Sequence, residues 1–113
     1  MTSSENPNKE RWELEEKAEE FLLAARSQLP KKYDTYVYQS VPNGPLVGTL
    51  DEFNEFLNVG EPELAWDALE TFAKSIKAPP ATFVYLAAAA IFLNKPEKAI
   101  AVAKWTADTW PRA

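Results

Sequence analysis

Apolar side chains recur along most of the chain with the period of an α-helix. In the first segment they stand three or four positions apart, and the opposite face is rich in glutamate. These apolar positions are Trp12, Leu14, Ala18, Phe21, Leu22, Ala25 and Leu29. The spacing predicts an amphipathic helix over residues 7–29, with Asn6 as its cap and Pro7 in its first turn. Residues 1–6 are expected to form a frayed tail.

The centre of the chain carries a helix stop followed at once by a helix start. Gly60 can adopt the left-handed conformation that ends a helix, and Pro62 suits the first turn of the next one. Before them, Thr49 and Glu52 have the spacing of a capping box, which predicts a helix that starts there and ends at Gly60. After the turn, one apolar face is expected to consist of Leu64, Ala65, Ala68, Leu69, Phe72 and Ile76. The pattern predicts a tight helical hairpin.

Two further helices are predicted in the last third of the chain. Residues 81–93 are apolar on nearly every side, which is typical of a helix surrounded by others. Asn94 and Pro96 repeat the turn signal, and the last helix is expected to end near Trp110. Its positions near the core are expected to be Ala99, Ile100, Val102, Ala103 and Thr106. The sequence thus predicts one all-α domain of about five helices, in which the first helix packs across two stacked hairpins.

An internal repeat relates the two hairpins. The segment 60–65 aligns with 94–99, and at the same offset Leu57 aligns with Ile91. This period of helix, short turn and helix resembles the tetratricopeptide repeat over residues 50–113. The resemblance implies stacked hairpins. It does not imply a concave peptide-binding groove, because such solenoids generally need three or more repeats.

Residues 30–48 are the least regular part of the chain. Three prolines and two glycines interrupt them, so an ordered loop is predicted. Tyr33, Tyr36 and Tyr38 have two interpretations. They either cover the core beneath the loop or form part of an interface, where tyrosine supplies contact area and a polar tip.

Composition excludes several classes of function. The net charge of −5 and the pI of about 4.8 argue against a nucleic-acid binder, which normally carries a basic patch. The absence of cysteine and histidine removes disulfides, thiolate metal sites and the commonest general base. The longest apolar run, residues 83–93, is too short to cross a membrane. The polar N-terminus lacks the apolar core of a secretory signal, so a cytoplasmic protein is expected.

Acidic residues concentrate in the central hairpin. Residues 51–70 contain seven acids and no base. These carboxylates either form a solvated face or match a basic partner. A hard-cation site is less favoured, because several of the acids have helix-capping positions. No catalytic template is present, so we expect neither an enzyme nor a cofactor or metal.

A partner-binding surface is the remaining hypothesis from the residues. Trp66 is expected to be half-exposed at the edge of the apolar stripe, inside an acidic rim, which is the composition of a binding hot spot. The predicted partner-binding residues are Tyr33, Tyr36, Tyr38, Glu55, Glu63, Trp66, Asp67 and Glu70.

The segment 56–69 resembles a pattern of small bacterial immunity proteins of the MafI type. That pattern reads apolar–x–x–Gly–Glu–x–x–Leu–Ala–x–x–x–Leu, and here it starts at Leu57, while Pro62 within it is a departure. These proteins are short, acidic, helical and cytoplasmic, and each blocks one toxin domain of polymorphic toxin systems, including contact-dependent inhibition. The resemblance implies an inhibitor function. Together with the acidic hairpin it predicts an immunity protein that neutralises a cognate toxin domain, a basic nuclease, through its acidic surface, and a monomer or weak dimer is expected. The alternative is a tetratricopeptide-like adaptor or chaperone that binds a partner peptide or helix.

Overall fold

Five helices account for the regular structure in the described part of the chain, which in the computed structural model comprises residues 7–31 and 50–110. The helices are α1 (Pro7–Ser27), α2 (Leu50–Asn58), α3 (Pro62–Ser75), α4 (Pro80–Phe92) and α5 (Pro96–Thr109). This confirms the all-α fold and places each helix within a few residues of its predicted bounds. The predicted tail, the capping residues Asn6 and Thr49, and the tyrosine loop lie outside the described residues.

Three helices end in the same left-handed turn, at equal intervals along the chain. The turn residues have positive φ, which is 76° at Gly60, 51° at Lys77 and 61° at Asn94. In each turn the next N–H donates to the carbonyl five positions back: Glu61 to Phe56 (2.8 Å), Ala78 to Ala73 (2.9 Å) and Lys95 to Ala90 (2.9 Å). This is the Schellman arrangement, which satisfies carbonyls that the helix itself leaves unpaired. A proline in the first turn of the following helix completes each junction.

Lys77 is the turn residue that the sequence did not reveal, because lysine is not a left-handed turn signal. This conformation costs an L-residue with a side chain roughly 1 kcal/mol or more, whereas glycine adopts it freely. We therefore expect Lys77→Gly to raise the free energy of unfolding by about 1 kcal/mol, measured by urea denaturation. The matched control is Lys104→Gly inside α5, which should lower stability by about the same amount. A Lys77→Gly variant less stable than the wild type would contradict this account of the turn.

The helices pack as two hairpins with α1 laid against both. Helix α2 packs on α3 and α4 packs on α5, while α3 contacts α4 between the hairpins. Helix α1 lies mainly along α4, where Phe21 stacks on Tyr85 and Phe92 at ring distances of 6.3 and 5.5 Å. It also contacts α3, so it touches one helix of each hairpin, as predicted. The largest fully buried apolar side chains are Trp66, Phe53, Phe83, Leu22, Leu50, Leu69, Leu86 and Val102.

Helix α4 is not surrounded on every side, contrary to the prediction. Val84 and Ile91 are 64% and 56% exposed and lie on one face, two helical turns apart. The three helices α1, α3 and α5 contact α4 and leave this fourth side open. The all-apolar sequence of α4 therefore indicates a helix with three neighbouring helices, but not one that is enclosed on every side.

Other predicted core positions are also exposed. Trp12 and Leu14 of α1, Leu64 of α3, and Ile100 and Ala103 of α5 all face solvent to a large extent. In α1 the reason is length, because its 21 residues extend beyond the 13 residues of α4 that cover its apolar face. Helical spacing indicates which side chains share a face, but it does not say how far the neighbouring helix reaches.

Candidate functional site

The acidic residues of α3 are paired with lysines in the folded chain. The ion pairs are Glu63 with Lys95 (3.7 Å), Asp67 with Lys98 (2.6 Å) and Glu70 with Lys74 (3.2 Å). Residues 51–70 contain no base in the sequence, but in the folded chain the α4–α5 turn, α5 and the end of α3 place lysines beside them. Glu55 of α2 is exposed and has no described ion pair among these residues. The predicted acidic face is thus largely neutralised within the molecule.

Trp66 is a core residue, and the prediction that it is half-exposed is wrong. Its side chain is 1% exposed, and its indole Nε1 donates a 2.7 Å hydrogen bond to the Leu86 carbonyl of α4. The Lys98 ammonium lies 5.1 Å from its ring centre, on the side of the Asp67 ion pair. A buried tryptophan with its polar atom satisfied joins the two hairpins, and it cannot act as an exposed hot spot. The spacing placed it at the edge of the stripe, but α4 covers that edge.

An open groove lies where three parts of the fold meet. Its volume is about 880 Å³. One wall is the N-terminal half of α1, and the others are the α2–α3 turn at Gly60 and the α4–α5 turn at Asn94. Leu14 and Ile91, both large apolar residues and about half-exposed, lie on its walls. The two Schellman turns therefore line a surface depression as well as connecting helices.

A second opening of about 420 Å³ continues from this groove along α1. It is lined by Trp12, Glu15, Glu16, Glu19 and Gly60, and it shares Glu15 and Gly60 with the first. Trp12 is 63% exposed, the most exposed of the described tryptophans. We call the two openings together the α1 groove. A large exposed aromatic next to a carboxylate row is the arrangement that the sequence predicted around Trp66, but at a different place.

The α1 groove carries a net negative charge. Its lining contains five acids, Glu15, Glu16, Glu19, Glu61 and Glu63, and two bases, Arg11 and Lys95, which leaves a formal charge of −3. Both bases are already engaged, Arg11 with Glu15 at 3.3 Å and Lys95 with Glu63. No ion pair among the described residues involves Glu16, Glu19 or Glu61. These three carboxylates are available to a cationic ligand.

The carboxyl group of Glu19 has a raised pKa in the α1 groove. Partial burial raises the pKa of its carboxyl above the ordinary value, and the Glu15 and Glu16 carboxylates raise the pKa further. The ionised carboxylate is therefore less favourable here than in water. A positive group placed in the groove would relieve the repulsion, so the site favours a cationic ligand.

The side chains that line the α1 groove are apolar, aromatic and carboxylate groups, with two bases that are already paired. Within residues 7–31 and 50–110, no group of three or more histidine, cysteine, aspartate or glutamate side chains could hold a metal ion. None of the helices in these ranges is both long and apolar enough to cross a membrane. The groove offers apolar contact, an indole and carboxylates, which together suit a basic protein surface.

The fold brings some of the predicted site residues together and separates others. Glu63, Asp67 and Glu70 follow one face of α3, each paired with a lysine, and Glu63 also lines the α1 groove. Glu55 lies on α2 outside the groove, and Trp66 is buried. Tyr33, Tyr36 and Tyr38 lie outside the described residues, and their part in an interface stays a prediction. The sequence missed Trp12 because its helical spacing assigned it to the buried face of α1. The available signal was the dense run of glutamates from residue 13 to 20 around that tryptophan.

Comparisons of the chain with protein-family models, with curated proteins and with solved structures found no match.

Proposed function

We propose that this chain is a non-enzymatic immunity protein, which binds a basic bacterial toxin domain at the α1 groove and thereby blocks it. The observation that carries the proposal is the groove itself, an open depression with an exposed tryptophan and a formal charge of −3. The toxin-blocking role rests on the resemblance of segment 56–69 to MafI-type proteins. Gly60 and Glu61, the central residues of that motif, line the groove.

The aromatic and the acidic side chains of the groove contribute differently to binding in this proposal. Trp12 supplies most of the affinity, because a large aromatic side chain buries much apolar surface when it docks against a partner. Glu16 and Glu19 supply attraction at a distance, which speeds the encounter with a basic surface and discriminates against acidic ones. The acids of α3 have a smaller part, since their lysine partners already compensate them. The occupant is a basic segment of the toxin domain.

The groove can be tested with substitutions on exposed positions. We expect Trp12→Ala to speed dissociation of the toxin domain and to weaken binding by roughly tenfold or more, about 1.4 kcal/mol, as is typical of an interface anchor. Glu16→Lys should slow association and reduce its dependence on salt. The matched control is Glu55→Lys, the same charge change on an exposed acid of α2 outside the groove, and it should leave both rates unchanged. The measurement is surface-plasmon binding at two ionic strengths.

The partner for this measurement is first captured from the native cell with the wild-type chain and identified by mass spectrometry. The proposal requires that the captured protein be basic, that it inhibit growth when expressed in a laboratory bacterium, and that co-expression of the wild-type chain restore growth. The Trp12→Ala/Glu16→Lys double variant should fail to restore growth, whereas Glu55→Lys should succeed. Capture of a partner that does not inhibit growth would contradict the immunity role and favour the adaptor or chaperone alternative.

A further inference from the structure

Helix α5 exposes an apolar stripe along most of its length. The stripe consists of Pro96, Ile100, Ala103 and Ala107, spaced four, three and four positions apart, and of Trp110, which directly follows the end of the helix; all five are exposed. Ile100 is 70% exposed and Trp110 42% exposed. We call these five residues the α5 stripe. No charged residue interrupts it, and Val84 of the neighbouring α4 is exposed as well.

The internal repeat shows what kind of surface the α5 stripe is. At the offset that aligns 94–99 with 60–65, its five members correspond to Pro62, Trp66, Leu69, Ala73 and Ile76 of α3. Those residues are buried or partly buried, and they lie on the side of α3 that carries the hydrogen bond from Trp66 to α4 of the next hairpin. The α5 stripe is therefore the side of α5 that corresponds to the side of α3 packed against the next hairpin. In α3 that side is covered, and in α5 it is not.

The side of α5 that packs within its own hairpin behaves as the repeat requires. Ala99 and Val102 are buried, as are their equivalents Ala65 and Ala68 in α3. The exposure of the α5 stripe is thus not due to poor packing of α5 as a whole. It is confined to the positions where the next layer of a helical stack would sit. In stacked helical proteins a face that no further layer covers is normally polar at these positions, and the exposed face of α5 is not.

We propose that the α5 stripe is covered by the α5 stripe of a second copy of this chain, which makes the protein a homodimer. The helix that covers the equivalent side of α3 is α4, which contains no charged residue. A second copy offers a surface of this chemistry, namely its own uncharged stripe and the exposed Val84. Ile100 and Trp110 project at either side of the small residues Ala103 and Ala107, which leave a gap between them, so two copies can interlock.

Charge favours a second copy over the basic partner of the proposed function. A basic segment gains nothing from an uncharged stripe, whereas most of the acids that would repel a second copy lie elsewhere, on α1, α2 and α3. The lysines Lys95 and Lys98 near the stripe are paired with α3 acids. Dimerisation through the α5 stripe leaves Trp12 and the glutamates of the α1 groove outside the contact. This inference therefore goes beyond the proposed function and does not depend on it.

The test is the mass of the chain alone in solution. At about 100 μM, where a dimer with a Kd of about 10 μM is mostly associated, sedimentation equilibrium should give close to twice 12.7 kDa. Ile100→Lys should reduce the mass to that of the monomer, since it places a charge in the contact. The matched control is Ala101→Lys, an exposed neighbour off the stripe, which should remain dimeric. Circular dichroism should show both variants folded, because both positions are exposed.

A second measurement uses the absence of cysteine from the chain. A single thiol introduced by Ala103→Cys should be cross-linked between copies by a short bismaleimide, whereas Ala101→Cys should not. Trp12→Ala should dimerise like the wild type, so failure of the α1 groove and failure of the dimer are separate results. A wild-type chain that is monomeric at the concentration of the sedimentation experiment overturns the proposal and leaves the stripe to a helix of another protein. A dimer that persists in Ile100→Lys also overturns it.

Discussion

Trp66→Ala is expected to lower the free energy of unfolding by about 3–5 kcal/mol. The side chain is fully buried where the two hairpins meet, and its indole N–H is bonded to the Leu86 carbonyl. Truncation leaves a cavity the size of an indole and removes the hydrogen-bond donor. Because small domains have total stabilities of about 5–15 kcal/mol, the variant is expected to be marginally folded or unfolded. Urea denaturation followed by circular dichroism measures the loss.

Trp12→Ala is the control for this prediction, since it removes the same side chain from an exposed position. Its effect on stability should stay within about 0.5 kcal/mol, because Trp12 is 63% exposed. Trp66→Phe should fall between the two, since it keeps most of the packing and loses the N–H. If Trp66→Ala were as stable as Trp12→Ala, the tryptophan would not join the hairpins, and the sequence-based expectation of an exposed Trp66 would be the better description.

Ala89→Glu is expected to abolish cooperative folding. Ala89 is completely buried in α4, the helix that contacts α1, α3 and α5. A carboxylate there has neither space nor a partner, and burial of an unpaired charge costs several kcal/mol. Loss of the sigmoidal thermal transition, followed by circular dichroism, is the expected observation.

Ala81→Glu makes the same substitution at an exposed position of the same helix. Residue 81 lies in the first turn of α4, where a negative charge interacts favourably with the helix dipole. This variant should melt within a few degrees of the wild type. A cooperative transition in Ala89→Glu near that of Ala81→Glu would show that α4 is not central to the core.

The helices could be predicted from the sequence because their signals are local. Gly60, Asn94 and the first-turn prolines fix where helices stop and start, and the apolar period fixes which side chains share a face. Lys77 escaped prediction because its conformation is imposed by the Schellman bonds around it rather than by its own preference. Backbone hydrogen bonds at the junction of two helices override the intrinsic preference of one residue.

The site was predicted less well, because it depends on which faces the neighbouring helices reach. Trp66 and Trp12 have similar surroundings in the sequence, a tryptophan next to acids, yet one is buried and the other exposed. The difference lies in α4, which covers Trp66 and ends before it reaches Trp12. The lysines that neutralise Glu63 and Asp67 belong to the following hairpin, so counting charge along the sequence could not pair them.

The contact between α1 and α4 has a consequence for how the chain behaves as a whole. Phe21 meets Tyr85 and Phe92 across more than half of the sequence, whereas each hairpin joins helices that follow one another directly. Holding the ends of so long a loop together carries an entropic cost that grows only slowly with length and is offset when the aromatic rings are stacked. We therefore expect α1 to couple the two locally formed hairpins, so that the chain unfolds in a single cooperative transition.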